Sequence, residues 1–214
     1  MTPKLVIFDC DGVLVDTEPM TDRILSENLT RYGLPITPQE VHLLFAGGTM
    51  EAVGVEATRR GAKLPDNWLD DIYAEVFAGL RKGTPVVAGV LDLIHALDRA
   101  GIQRAIASNG PIPKMEISLT PSGLFDLFDG RIYSGHDYGP KPKPDMLLQI
   151  VKDMGVTPQD AVMIDDMPAG FLAAKAAGMR CFGYVAEGDA ARIGDTGATP
   201  VTHMDQIQQA LGLS

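Results

Sequence analysis

Two cysteines, one tryptophan and 6% aromatic residues are all that the 214-residue chain holds of those types, and no apolar run approaches the ~20 residues needed to cross a bilayer. The missing apolar run excludes a membrane-spanning helix. The scarcity of cysteine argues against a disulfide scaffold: Cys10 and Cys181 both fall in strand-like segments and read as reduced, buried thiols. Basic residues are short as well. Eighteen Lys and Arg against 28 Asp and Glu leave a net charge of -10, which argues against nucleic acid as a partner and works against attraction to an anionic membrane. His42, His95, His136 and His203 lack metal-ligand spacing, so none is given a role. What is present is ordinary globular material: 45% hydrophobic residues, in a length that fits one well-packed domain plus a smaller appendage. The opening MTPKLVIFDC has too short an apolar stretch for a signal peptide and reads as the first buried strand of a cytoplasmic protein.

Two kinds of pattern organise the chain. Short β-rich runs occur at Leu5–Phe8, Arg104–Ala107, Arg131–Tyr133, Ala161–Ile164 and Arg180–Tyr184. Among the later ones, apolar periodicity predicts helices over Gly89–Ala100, Pro113–Leu119, Asp145–Met154 and Ala169–Ala177. Strands alternating with helices of this length predict an α/β protein with a parallel sheet. Residues 16–83 break the rhythm, reading as four consecutive helices punctuated by GLPITP, AGG and GAKLPDN. They are expected to form a helical insert, with joints at Val15–Thr17 and Lys82–Pro85, on a core made of residues 1–15 and 84–214. The stretch from Ala186 to Thr199, rich in Gly, Ala and Asp, reads as loop and short helix.

Ligands of open parallel sheets bind beyond the carboxyl ends of the strands. Asp9-Cys10-Asp11-Gly12 follows the first run, Ser108-Asn109-Gly110 the second, and Asp165-Asp166 the fourth, while Lys141 and Lys143 stand in the loop KPKPD after the third. Carboxylates crowded together need a cation, and an oxygen-rich site suits Mg²⁺. Phosphoryl transfer is the chemistry that wants this set. Metal and lysine would neutralise the phosphoryl oxygens, one carboxylate would attack phosphorus, and a second would move protons. A lone Asp after a strand is more often a turn former, so the argument rests on the whole set occurring at successive strand ends.

FDCDGVLVDTE, IASNG, GPKPKPD and MIDDMPAGFLAAKAAGM, in that order, resemble the motifs of the haloacid dehalogenase superfamily of phosphotransferases along essentially the whole chain. The resemblance implies a Rossmann-like parallel sheet core with an inserted all-helical cap domain. It implies Asp9 as nucleophile and Asp11 as general acid/base. Ser108, helped by the Asn109 backbone, would hold the transferred phosphate, and Lys141 would contact nucleophile and phosphate. It further implies Mg²⁺ bound by the Asp9 carboxylate, the Asp11 carbonyl and the Asp166 carboxylate, with Asp165 a direct ligand or one step behind the metal. Lys143 offers a competing register to Lys141, whose spacing fits better. Cys10 should point away from the metal, because neighbours on an extended segment alternate faces. In the cap, Gly47 in the loop Phe45–Thr49 and Glu18 in VDTE are expected to approach the substrate.

Asp11 argues against the dehalogenating and phosphonatase branches, which lack that second acid. Hexose-phosphate mutases like β-phosphoglucomutase carry a cap-loop Arg for a second phosphate, where this chain has Thr49-Met50. A phosphatase acting on a small phosphorylated sugar or sugar acid is therefore expected. SNGPIPKMEISL and YSGHDYG resemble enzymes similar to 6-phosphogluconate phosphatase. The mutase is the alternative, and a phospho-acceptor protein without turnover is a more distant one.

Overall fold

Every residue of β1 (Leu5–Phe8) is buried, and the reason is its position in the sheet. In a computed structural model describing residues 2–45, 49–185 and 190–213, β1 lies between two strands with both faces covered. In chain order the elements after β1 are α1 (Glu18–Arg31), α2 (Pro38–Phe45), α3 (Met50–Arg59), α4 (Trp68–Leu80), α5 (Val90–Arg99), β2 (Gln103–Ser108) and α6 (Ile112–Leu119). Then come α7 (Leu124–Leu127), β3 (Ile132–Ser134), α8 (Gly135–Tyr138), α9 (Asp145–Asp153), β4 (Ala161–Asp165) and α10 (Pro168–Ala177). β5 (Arg180–Tyr184), β6 (Thr199–Val201) and α11 (Met204–Ala210) complete the series. The sheet is parallel throughout, in the order β3-β2-β1-β4-β5-β6, and is Rossmann-like.

Alternation along β1 divides the core. Val6 and Phe8 face a layer with Leu93, Leu97, Met115 and Ile207, whereas Leu5 and Ile7 face one with Leu147, Ile150, Phe171 and Ala174. Strands covered on both faces favour apolar residues at nearly every position, which is why they read as near-continuous runs. Phe8 pairs with Ile106 of β2 and with Ile164 of β4, so Asp9, the residue after β1, comes level with Ala107 of β2 and Asp165 of β4. From β1 the chain runs outward through β2 to β3, then returns to the other side of β1 at β4. The strand order reverses there, which opens the crevice where such sheets take ligands.

Packing divides the protein into two compact units, Met1–Val15 with Pro85–Ser214, and Asp16–Thr84. The second is all helical among its described residues. Leu25, Leu29, Val41, Val53, Trp68, Ile72 and Val76 are buried in it, and the Trp68 indole N–H donates to Asn28 Oδ1 at 2.7 Å. No helix among the described residues is long and apolar enough to cross a membrane.

β1 and β5 have the expected bounds, while β2, β3 and β4 each run one residue past the expected end, so that Ser108 and Asp165 close their strands rather than follow them. β6 and α11 were not anticipated. β6 is the three-residue TPV at the sheet edge, where Pro200 withholds no needed donor. Three residues are too few to show a period.

Candidate active site

The side chains at the crevice are organised around one buried ammonium. Lys141 Nζ donates to Asp9 Oδ1 at 2.8 Å, to Asp165 Oδ2 at 2.7 Å and to the Ala107 carbonyl at 3.0 Å, so all three of its protons are placed. Asp9 is the first residue beyond β1 and keeps the ladder going by donating its N–H to the Ile164 carbonyl at 2.9 Å. Burial pushes the Asp9 carboxyl up to about 7 against the pull of Lys141, and the nearby Asp165 adds to the rise. Burial works against the Lys141 charge, yet the two carboxylates outweigh it and hold the ammonium above the ordinary lysine value. Lys143, two residues on, lies exposed.

The Lys141 backbone is itself gripped. Asn109 Oδ1 accepts from Lys141 N–H at 2.7 Å while Asn109 Nδ2 donates to the Lys141 carbonyl at 3.1 Å. Asn109 thus locks two loops together through its side chain, a role beyond the backbone contact its motif implied. Ser108 Oγ, almost wholly buried, accepts from Gly110 N–H at 3.1 Å, which leaves the hydroxyl proton to donate elsewhere. Ser134 Oγ donates to the Gly110 carbonyl at 2.8 Å, fixing the far side of the same loop.

After Asp9 the chain turns sharply. Gly12 has φ of +79° and donates to the Val15 carbonyl at 2.8 Å. A Cβ there would stand 2.3 Å from Asp166 Oδ2, so the close approach of this turn to Asp166 requires glycine. Cys10 points into the core beside Ser118 Oγ, 4.0 Å away, and takes no part in the crevice. Burial, with Asp11 and Asp9 adding to it, pushes its thiol up. Asp165 is fully buried and has both oxygens engaged, Oδ2 by Lys141 and Oδ1 by the Met167 N–H at 2.9 Å. Gly170 in α10 makes room for it, since a Cβ would stand 1.9 Å from the Asp165 carboxyl carbon.

One carboxylate oxygen from each of Asp9, Asp165 and Asp166 can be chosen so that all lie within 4.8 Å of one another. Such a set of hard oxygen donors, with a single lysine bonded to two of them, fits a divalent cation. Sequence reasoning missed Lys114. Its ammonium donates to Asp11 Oδ2 at 2.7 Å, and although burial opposes the charge, Asp11 holds it above the ordinary lysine value. The signal was a lysine in the first turn of the helix after β2, within SNGPIPK. Glu18 opens α1 in the helical unit. Gly47 falls outside the described residues, and Thr49 beside it caps α3 by accepting from Ala52 N–H at 3.3 Å.

The family model for haloacid dehalogenase-like hydrolases matches residues 3–178, which takes in all of these side chains. The chain belongs to that family. Among haloacid dehalogenase-like relatives, 6-phosphogluconate phosphatase of Escherichia coli is 28% identical over 209 residues, covering 96% of this chain and 93% of its own. Hexitol phosphatase A of the same organism is 30% identical, over 91% of this chain and 89% of its own. A crystal structure of a haloacid dehalogenase family hydrolase from Deinococcus radiodurans, with bound phosphate and sodium, superposes with a TM-score of 0.85. It is 27% identical and covers 99% of this chain and 96% of its own. The chain is a hydrolase of this family, and phosphatases are among its relatives over nearly their full length.

Proposed function

We propose that this hydrolase is a Mg²⁺-dependent phosphatase acting on a small phosphorylated sugar or sugar acid through an aspartyl-phosphate on Asp9. The observation that carries the reading is the division of charge at the crevice. Lys141 bonds Asp9 and Asp165 on one side, while Asp11, two residues from Asp9, is bonded to Lys114 instead. Two carboxylates so close in sequence, held by different cations, are suited to different tasks. Asp9 Oδ1 is taken by Lys141, so its other oxygen is the one to attack phosphorus.

In the first half-reaction that oxygen bonds to phosphorus as the ester P–O bond breaks, and the departing oxygen takes a proton from the Asp11 carboxyl. In the second, the Asp11 carboxylate takes a proton from water. The water oxygen bonds to phosphorus, and the bond to Asp9 breaks, releasing inorganic phosphate and restoring both side chains. The Ser108 hydroxyl and Lys141 ammonium would bind the phosphoryl oxygens throughout. Mg²⁺ held by Asp9, the Asp11 carbonyl and Asp166 would supply further positive charge for those oxygens. Asp165, with both oxygens engaged by protein donors, is read as the anchor of Lys141.

The helical unit is read as the part that selects the substrate. The named activities of 6-phosphogluconate phosphatase and hexitol phosphatase A support a phosphorylated sugar acid or sugar derivative. The test is phosphate release from a panel of such esters, in Mg²⁺ and in EDTA, by wild type and Asp9→Asn. Release is expected only with Mg²⁺, with a loss of more than about 100-fold in the variant. A folded Asp9→Asn protein keeping about a tenth of the activity overturns the nucleophile assignment. β-Glucose 1-phosphate with its 1,6-bisphosphate should give phosphate; isomerisation outrunning release would make the protein a mutase.

A further inference from the structure

Lys114 belongs to none of the motifs that carry the proposed chemistry, yet it reaches the side chain that the chemistry needs mobile protons on. Its helix, α6, is seated by Met115, Ser118 and Leu119, all buried against the same core layer as Phe8, Cys10 and Val13. From this fixed base the Lys114 stem crosses Gly110, its Cδ lying 3.6 Å from where a Gly110 Cβ would stand. The ammonium then meets Asp11 Oδ2 at 2.7 Å. The pair is mostly shielded, with side-chain exposures of 24% for Lys114 and 28% for Asp11, so it differs from the flexible surface ion pairs that contribute little. The stem also ties Asp11 to the Ser108–Gly110 loop, the segment expected to hold the phosphate.

We propose that Lys114 is the positioning residue of the Asp11 carboxyl group, fixing it where the leaving oxygen of the substrate departs. The proposal rests on the reading of Asp11 as proton donor and deepens it. A charge-assisted hydrogen bond from a lysine whose own backbone is anchored narrows the rotamers of a carboxyl group on a tight turn. Lys141 cannot serve both aspartates, because its three donors are already placed.

The consequence is a dependence on leaving group. An aliphatic sugar alkoxide must be protonated as it leaves, whereas p-nitrophenolate leaves without a proton. Measured as kcat/KM, which reports only the steps up to departure of the leaving group, the two substrates isolate the donor role of Asp11. Lys114→Met is expected to lower kcat/KM for an alkyl phosphate about tenfold or more, out of the 10²–10⁴ that a placed proton donor supplies. The value for p-nitrophenyl phosphate should stay within about threefold, and Lys114→Arg should restore most of the alkyl activity. If Lys114→Met loses its native circular dichroism, Lys114→Gln carries the same comparison. Equal losses on both substrates, or no loss on either, overturn the positioning role while leaving the phosphatase reading intact. A wild-type protein that hydrolyses neither ester in Mg²⁺ overturns the phosphatase reading, and this proposal with it.

Discussion

Replacing Lys141, a residue only 6% exposed, with methionine removes its charge while keeping a chain of similar length. The structure sets the size of the effect. The ammonium bonds two carboxylates, Asp9 and Asp165, whose residues are 7% and 0% exposed, together with the Ala107 carbonyl. Without it, two buried negative groups lose the ammonium they share, and no other lysine or arginine pairs with either among the described residues. Breaking a buried pair by deleting one partner costs about 3–5 kcal/mol, because the partner left behind stays desolvated. Asp9 softens this by taking up a proton, since burial already raises its carboxyl to about 7. Asp165, wholly buried and further fixed by the Met167 N–H, has less room to relax. For a chain of this size the loss corresponds to a Tm lower by about 6–20 °C. Urea and thermal unfolding in EDTA, followed by circular dichroism, measure it. Lys143→Met, two residues on and exposed, is the control, expected within about 0.5 kcal/mol of wild type. A loss under about 1 kcal/mol for Lys141→Met would refute the view that one ammonium holds the crevice together.

Two further outcomes follow from the same geometry. The Asp9 carboxyl is raised from 3.8 to about 7 by burial, so the native protein holds that proton more tightly than the unfolded chain does. Its contribution to stability is complete below about pH 4 and is lost as pH rises through about 7. Urea unfolding in EDTA should show this decline, and Asp9→Asn should reduce it; an unchanged decline in the variant counts against the assignment. In Gly170→Ala the new Cβ meets the Asp165 carboxyl carbon at 1.9 Å, and that carboxylate is pinned from both sides. The helix or the strand end must shift, at about 1–3 kcal/mol by thermal unfolding, with phosphate release falling alongside. A neutral substitution would show that α10 and β4 do not approach so closely.

The sheet was legible because its physics leaves a mark on single residues. A parallel strand covered on both faces is nearly continuous in apolar residues, and LVIF, the AIA of β2 and AVMI announce themselves in that way. The helices between them show their buried stripes for the same reason, as with Val90, Leu93, Ile94 and Leu97 in α5. β6 left no such mark. It is held by pairing with β5, Phe182 to Thr199 and Tyr184 to Val201, and two of its three residues are exposed. A strand defined by its neighbour's hydrogen bonds has little apolar patterning of its own to read.

The site divides along a similar line. Asp9, Ser108, Asp165 and Asp166 were legible because the end of a parallel strand is itself a sequence position, so a polar residue stopping an apolar run can be found without knowing the fold. Lys141 was legible only through the spacing of its loop. Lys114 pairs with a residue 103 positions away, and a lone lysine on a helix is ordinarily solvated, so its sequence alone points outward. The pairing of β1 with β2, Phe8 opposite Ile106, changes that expectation. With that register, the turn after β1 lies beside the last residues of β2 and the start of the helix that follows them. A cation in the first turn of α6 then has Asp11 within reach and the Ser108 loop beneath it. The same reasoning covers Asn109, whose side chain bonds a loop 32 residues on, and Gly170, whose missing Cβ matters only because α10 crosses the end of β4. These residues act on contacts made between elements, and such contacts become readable only after the strand order is known.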